Sequence, residues 1–180
     1  MYNITWKNER AVEIPFGWEQ VKSNQQKNIL EVGNVLSWYF PIQHEVLDKY
    51  EIAEGVINED IVDFNPSKKY DLIVSISTLE HVGWDETPRE PQKILQAIRQ
   101  LKHLLVEGGK LVVTVPLGYN SALDDYLRDG SIQFTKQYFL KKGSKNPEWN
   151  EIDEKSALEE LKNKPYKRSE ILMLAVEEKW

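Results

Sequence analysis

The sequence predicts an α/β fold: a doubly wound, mostly parallel sheet in a three-layer αβα arrangement, closed by a reversed C-terminal strand. Three observations predict it. The run Asn28-Ile29-Leu30-Glu31-Val32 ends at Gly33 and a patterned segment follows, which is how doubly wound folds open a nucleotide site. Tyr70-Asp71-Leu72-Ile73-Val74-Ser75-Ile76 is the continuous β-branched run that a strand buried on both faces needs. Residues 92–116 then join an amphipathic stretch, a glycine pair and a second apolar run, an αβ unit.

Taken in order, residues 1–27 read as a cover segment. Glu9-Arg10-Ala11-Val12-Glu13-Ile14-Pro15 is a short helical or extended piece ending before its proline, and Phe16-Gly17-Trp18 is a turn with aromatic flanks. The first strand is 28–32. A second covers 44–49, with Pro41 keeping any intervening helix brief, and a weaker third covers 55–61. After the fourth strand at 70–76 comes a loop, 85–91. In the helix at 92–106, Ile94, Leu95, Ile98, Leu101, Leu104 and Leu105 recur at helical spacing. Glu107-Gly108-Gly109 supplies the C-cap, and residues 110–116 form the fifth strand. Beyond it 121–128 is helical, 132–142 and 169–177 are strands, and 150–164 has a helical, acidic middle. Strands here no longer alternate with helices, so an antiparallel hairpin finishes the sheet. The whole, 1–180, is one domain: cover 1–27, cofactor-binding core 28–120, hairpin and substrate side 121–180.

Composition narrows the function. At 41% hydrophobic and 29% charged the chain is of the soluble globular class, and no apolar run approaches the roughly 18 residues of a membrane span. With no cysteine, disulfides, thiolate metal sites and cysteine nucleophiles are excluded. A start without a basic region and apolar core leads us to expect a cytoplasmic protein. A net charge of −6 argues against nucleic acid, and Lys136, Lys141, Lys142 and Lys145 read as a solvated hairpin edge. The six tryptophans and eight tyrosines serve a substrate pocket, a homodimer contact or the core.

Chemistry gathers where the early strands end. Glu31-Val32-Gly33, Asp48, Asp60 and the segment from Ser75 to Ser77 fall along one edge of a parallel sheet, so three acids share a crevice. A carboxylate after the second strand suits ribose hydroxyls, one after the third an exocyclic amine; an acidic crevice suits a cation better than a pyrophosphate. Gly33 admits a ligand close to the backbone, or it makes an ordinary Gly-Asn turn. His81 is the candidate general base, with a structural place in the segment after the fourth strand as the other reading. His44 and His103 take surface or core roles, and no metal site is expected. Tyr119 and Asn120, after the fifth strand, touch an acceptor or cap the next helix, while Trp84, Asp85 and Arg89 lie on a loop able to close over it.

In order and spacing, Glu31-Val32-Gly33, Asp48, Asp60-Ile61, residues 70–75, Leu79-Glu80-His81-Val82 and residues 104–112 resemble the S-adenosylmethionine-dependent methyltransferases of the seven-stranded class. The likeness spans about residues 28–120. It implies a reversed seventh strand and S-adenosylmethionine as cofactor across the ends of strands 1 to 4; our reading adds a small-molecule or carbohydrate-like acceptor. By that likeness Glu31 and Gly33, with Asn34 beside them, meet the methionine part, Asp48 the ribose, and Asp60 with Ile61 the adenine. By the same likeness Ser75 and Ile76 are expected near the donor's amino group, while His81 stays the candidate base and Trp84, Tyr119 and Asn120 the candidate acceptor contacts read from the residues above. The sequence departs from the pattern where the family's second and third glycines give way to Val35 and Ser37, and valine resists φ > 0. The asparagine-proline-proline-aromatic signature of many amino-directed enzymes is missing after the fourth strand, against DNA-adenine methylation. Two rivals follow: a non-catalytic binding or assembly domain of the same fold, and a nicotinamide-dependent oxidoreductase, disfavoured because no G-x-G-x-x-G follows the first strand.

Overall fold

A computed structural model describes residues 7–145, 148–161 and 170–179. Eight strands form one mixed sheet in the order β3-β2-β1-β4-β5-β8-β6-β7. β1 (Ile29–Val32), β2 (Glu45–Leu47), β3 (Val56–Ile57), β4 (Tyr70–Ile76) and β5 (Leu105–Pro116) run parallel. β8 (Ile171–Glu178) enters between β5 and β6 (Lys136–Lys142), antiparallel to both. This is the expected sheet with its reversed strand, plus one strand more: β7 (Trp149–Ile152), antiparallel on β6 at the edge.

Strand alternation sorts the core into two faces. Leu30, Val32, Ile73, Leu111, Val113 and Val115 point to one side and pack under α2 (Lys93–Leu104), α3 (Ser121–Arg128) and Ala157 of α4 (Glu154–Leu161). Ile29, Leu72, Val74, Ile76 and Val112 point to the other, under Ile14 and Val21 of α1 (Arg10–Lys22) and Leu36 of a short 3-10 turn, Leu36–Trp38. Period-two burial on both faces is the three-layer arrangement predicted.

Several elements differ from the sequence reading. α1 runs unbroken through Pro15 and includes Phe16, Gly17 and Trp18. Pro15 is exposed, whereas Glu13, Ile14, Gly17 and Val21 are buried at helical spacing. Burial of that stripe offsets the roughly 3 kcal/mol of an interior proline. Gly17 is a contact glycine rather than a turn: a Cβ there would lie 2.5 Å from Cδ1 of Ile76. At the other end of the core, α2 stops at Leu104 because Leu105 turns extended to pair with Tyr70. Gly108 and Gly109 therefore lie in a bulge of β5, not in a helix cap, with Gly108 at φ +74° and its N–H donating to Lys179 O at 2.8 Å. β3 keeps only two residues and β6 begins at Lys136. β7 escaped prediction because Trp149-Asn150-Glu151-Ile152 is an edge strand without a buried face, so it has no apolar alternation to read. Residues 1–6 of the cover segment, 162–164 of the acidic stretch and Ser169 lie outside the described residues.

Candidate functional site

Parallel register sets the site. Val32 pairs with both Leu47 and Ser75, so β1, β2 and β4 end together and their following loops converge. Between these loops lies a cavity of about 550 Å³, within the ~300–1,000 Å³ range of small-molecule sites. β1 contributes Gly33, Asn34 and Val35; β2 contributes Asp48, Lys49, Tyr50 and Glu51; Asp60 and Ile61 follow β3; Ser77, Thr78, His81, Asp85 and Glu86 follow β4.

The structure thus brings Gly33, Asn34, Asp48, Asp60, Ile61 and His81 into one cavity and leaves the other candidates outside its lining. Glu31 is wholly buried beneath it. Its Oε1 accepts the N–H groups of Val35 (2.9 Å) and Leu36 (2.7 Å), and its Oε2 lies 2.8 Å from Nε2 of His44. Glu31 therefore shapes the turn and is not free for a ligand. Ser75 is buried, its Oγ donating to Val32 O at 3.1 Å, and Ile76 packs on the opposite face under α1. Asn120 caps α3: its Oδ1 accepts from Ala122 N and Leu123 N, and its Nδ2 donates to Glu80 O at 3.0 Å. Trp84 lies outside the lining with the Arg89 guanidinium 4.5 Å from its ring centre. Tyr119 reaches the site indirectly, donating its hydroxyl to Asp85 at 2.7 Å and packing edge-on against His81.

The turn after β1 accommodates Val35 without strain. Gly33 alone takes a positive φ, +87°, and Val35 sits at φ −110°. Asn34 donates its N–H to Asp48 Oδ2 (3.2 Å) and its Nδ2 to Glu51 Oε1 (2.9 Å), tying the first two loops together. Asp48 also accepts from Tyr50 N and Glu51 N through Oδ1, at 2.9 and 2.8 Å. With Oδ1 doubly bonded, Oδ2 has an acceptor position left for a ligand hydroxyl.

Sequence reasoning missed a charge cluster at the far wall. Asp60 Oδ2 receives Lys49 Nζ at 2.8 Å and Lys93 Nζ at 2.6 Å, and the same two ammoniums reach Glu86 at 3.1 and 2.7 Å. Burial disfavours all four charges, but these bonds outweigh it: Asp60 and Glu86 are held below the usual carboxylate range, Lys49 and Lys93 above the usual amine range. Among the described residues Asp60 Oδ1 accepts from Val62 N alone, at 3.2 Å. The adjacency of Asp48 and Lys49 was visible in the sequence; Lys93, at the start of a helix 33 residues from Asp60, carried no signal.

His81 stands in a chain of polar groups, with Nδ1 2.6 Å from Asp85 Oδ2 and Nε2 3.6 Å from Glu80 Oε1. Asp85 is held low: burial acts to raise it, and the Tyr119 and His81 hydrogen bonds prevail. Glu80 is 2% exposed, its Oε2 has no hydrogen-bond partner among the described residues, and burial, with Glu13 adding to it, pushes its carboxyl well above the usual range. A raised carboxyl is harmless while protonated in both states and costs stability as pH climbs from the unfolded value of 4.5 toward the folded one. Glu80→Gln is thus expected to match the parent near pH 4 and to melt higher at pH 8, by about 2–12 °C for the ~1–3 kcal/mol of a buried unpaired group. Melting curves at the two pH values test this; a lower melting temperature at pH 8 would refute it.

No family model matches the chain, and no curated protein matches it. Similar solved structures include the N-methyltransferase NodS from Bradyrhizobium japonicum WM9 in complex with S-adenosyl-L-homocysteine. Its identity is 15%, covering 95% of this chain and 91% of that one, with a TM-score of 0.47. Another is an S-adenosylmethionine-dependent methyltransferase from Clostridium acetobutylicum (13%, 93% and 91%, TM-score 0.49). A third is a methyltransferase from Thermotoga maritima described as a possible histamine N-methyltransferase (14%, 86% and 82%, TM-score 0.49). The likeness concerns the path of the chain; what the cavity does is argued below from its own residues.

Proposed function

We propose that this protein is an S-adenosylmethionine-dependent methyltransferase acting on a small-molecule or carbohydrate-like acceptor. One observation carries the reading: Asp48 and Asp60, from different loops, line one cavity with Gly33. Glu51, Glu59, Asp85 and Glu86 add carboxylates to that lining against a single lysine, Lys49. Such a lining suits a cationic adenosyl ligand, with Asp48 Oδ2 toward the ribose and Asp60 Oδ1 and Ile61 toward the base. When bound, the donor supplies an already activated methyl group. The chain's part is then to hold an acceptor in line, an orientation effect worth up to about 7–11 kcal/mol. His81, oriented by Asp85, is the group placed to take the acceptor's proton.

A non-catalytic binding domain is the second reading, favoured by the double lysine hold on Asp60. Thermal unfolding separates them. S-adenosylhomocysteine at about 100 times its dissociation constant should add roughly 2.7 kcal/mol, or about 5–11 °C, with no shift from NAD. No shift from S-adenosylmethionine or S-adenosylhomocysteine overturns the proposal. Calorimetry then divides the roles. Asp48→Asn should weaken S-adenosylhomocysteine binding about 10- to 150-fold, the worth of one charged hydrogen bond, whereas His81→Ala should leave it unchanged.

A further inference from the structure

We infer that Glu13, on the N-terminal helix, is a positioning residue of this site that holds Ser77 in its left-handed conformation. The inference rests on the cavity being the donor's. Ser77 is the only non-glycine among the described residues with positive φ, +41°, and it lines the cavity. Such a backbone persists only where its surroundings over-determine it. Those surroundings are on view. The Ser77 hydroxyl donates to Glu13 Oε1 at 2.5 Å, and Thr114 Oγ1 donates to the same oxygen at 2.8 Å. Ser77 N–H donates to Thr114 O at 2.9 Å. Glu13 is completely buried, and its Oε2 receives Arg10 Nη1 at 3.3 Å.

Thr78, next in the chain, is pressed against Gly33, where a Cβ would stand 2.0 Å from Thr78 Oγ1. A buried carboxylate from α1, a strained serine after β4 and the glycine after β1 are therefore one continuous contact across the cavity floor. Burying a carboxyl is unfavourable, and burial raises that of Glu13 despite Arg10 and the two hydroxyls. The sequence spends that cost at the point where it fixes the backbone beside the ligand.

The test exploits the freedom of glycine at positive φ. Glu13→Ala should weaken S-adenosylhomocysteine about 5- to 150-fold, the range that backbone strain of this kind spans. Glu13→Ala with Ser77→Gly should bind within about threefold of the parent while its melting temperature stays low, and Glu13→Gln, which keeps the acceptor oxygen, should bind nearly as the parent does. Should Glu13→Ala not fold, Ser77→Ala breaks the same contact and should show the same loss, with Ser77→Gly sparing affinity. NMR couplings at position 77 read its φ without ligand; the left-handed signature should persist in Glu13→Gln and be lost in Glu13→Ala and in Ser77→Ala. If the parent binds and affinity is unmoved in Glu13→Ala or Ser77→Ala, or Ser77→Gly does not restore it, the inference falls. If the parent does not bind, the donor reading falls, and the couplings alone decide whether Glu13 holds Ser77.

Discussion

Gly33→Ala is expected to destabilise the protein by about 2–5 kcal/mol, lowering the melting temperature by roughly 4–20 °C. Two costs combine. At φ +87° an alanine is held in a region that L residues rarely adopt, worth about 1–2 kcal/mol. Its methyl would also meet one side chain at three points, Thr78 Oγ1 at 2.0 Å and Thr78 Cβ and Cγ2 at 2.8 Å. Overpacking of this kind costs typically 1–3 kcal/mol. The costs separate by design: Gly33→Ala with Thr78→Ala should recover the steric part and leave the conformational part. Thermal unfolding of parent, single and double variants decides; a single variant within 1 °C of the parent would show that the turn does not take this path. Stability is the direct readout here, since Gly33 meets Thr78 whether or not a ligand is present.

How far the sequence reaches is visible in this loop. β1, β4 and β5 were legible because burial on both faces forces unbroken apolar runs such as 70–76, and the order of the parallel strands set Asp48 and Asp60 on one rim. A local signal also located the turn after β1, which breaks at Gly33 with a positive φ. Such signals fail where a side chain's partner is remote in sequence. Nothing near Glu13 shows that its carboxylate meets Thr114, 101 residues away, and nothing near Asp60 announces Lys93. α1 was misread for the same reason: its proline is a local signal, and the buried stripe that overrides it is a tertiary one. Asn120 went the other way, its helix-capping alternative being purely local, and that alternative is what the structure contains.

Glu31 is the sharpest case, because the same residue supports two mechanisms with opposite signatures. As a ligand-binding carboxylate it would matter to affinity and little to stability. The geometry assigns it to the turn: a fully buried side chain whose two oxygens satisfy two backbone N–H groups and face His44. Glu31→Ala removes the acceptor of both donors and the partner of His44, and removing one partner of such a buried set costs about 3–5 kcal/mol. The expected fall in melting temperature is about 6–20 °C. Glu31→Gln keeps one oxygen for Val35 and Leu36 and presents an amide to His44, so it should retain most of that stability, losing about 1 kcal/mol. Affinity for S-adenosylhomocysteine should follow stability across the pair, poor in Glu31→Ala and near the parent's in Glu31→Gln, because Asn34 and Val35 line the cavity only while the turn is held. The opposite pattern, a stable Glu31→Gln that has lost the ligand, would return Glu31 to the ligand's own contacts and overturn its assignment to the turn.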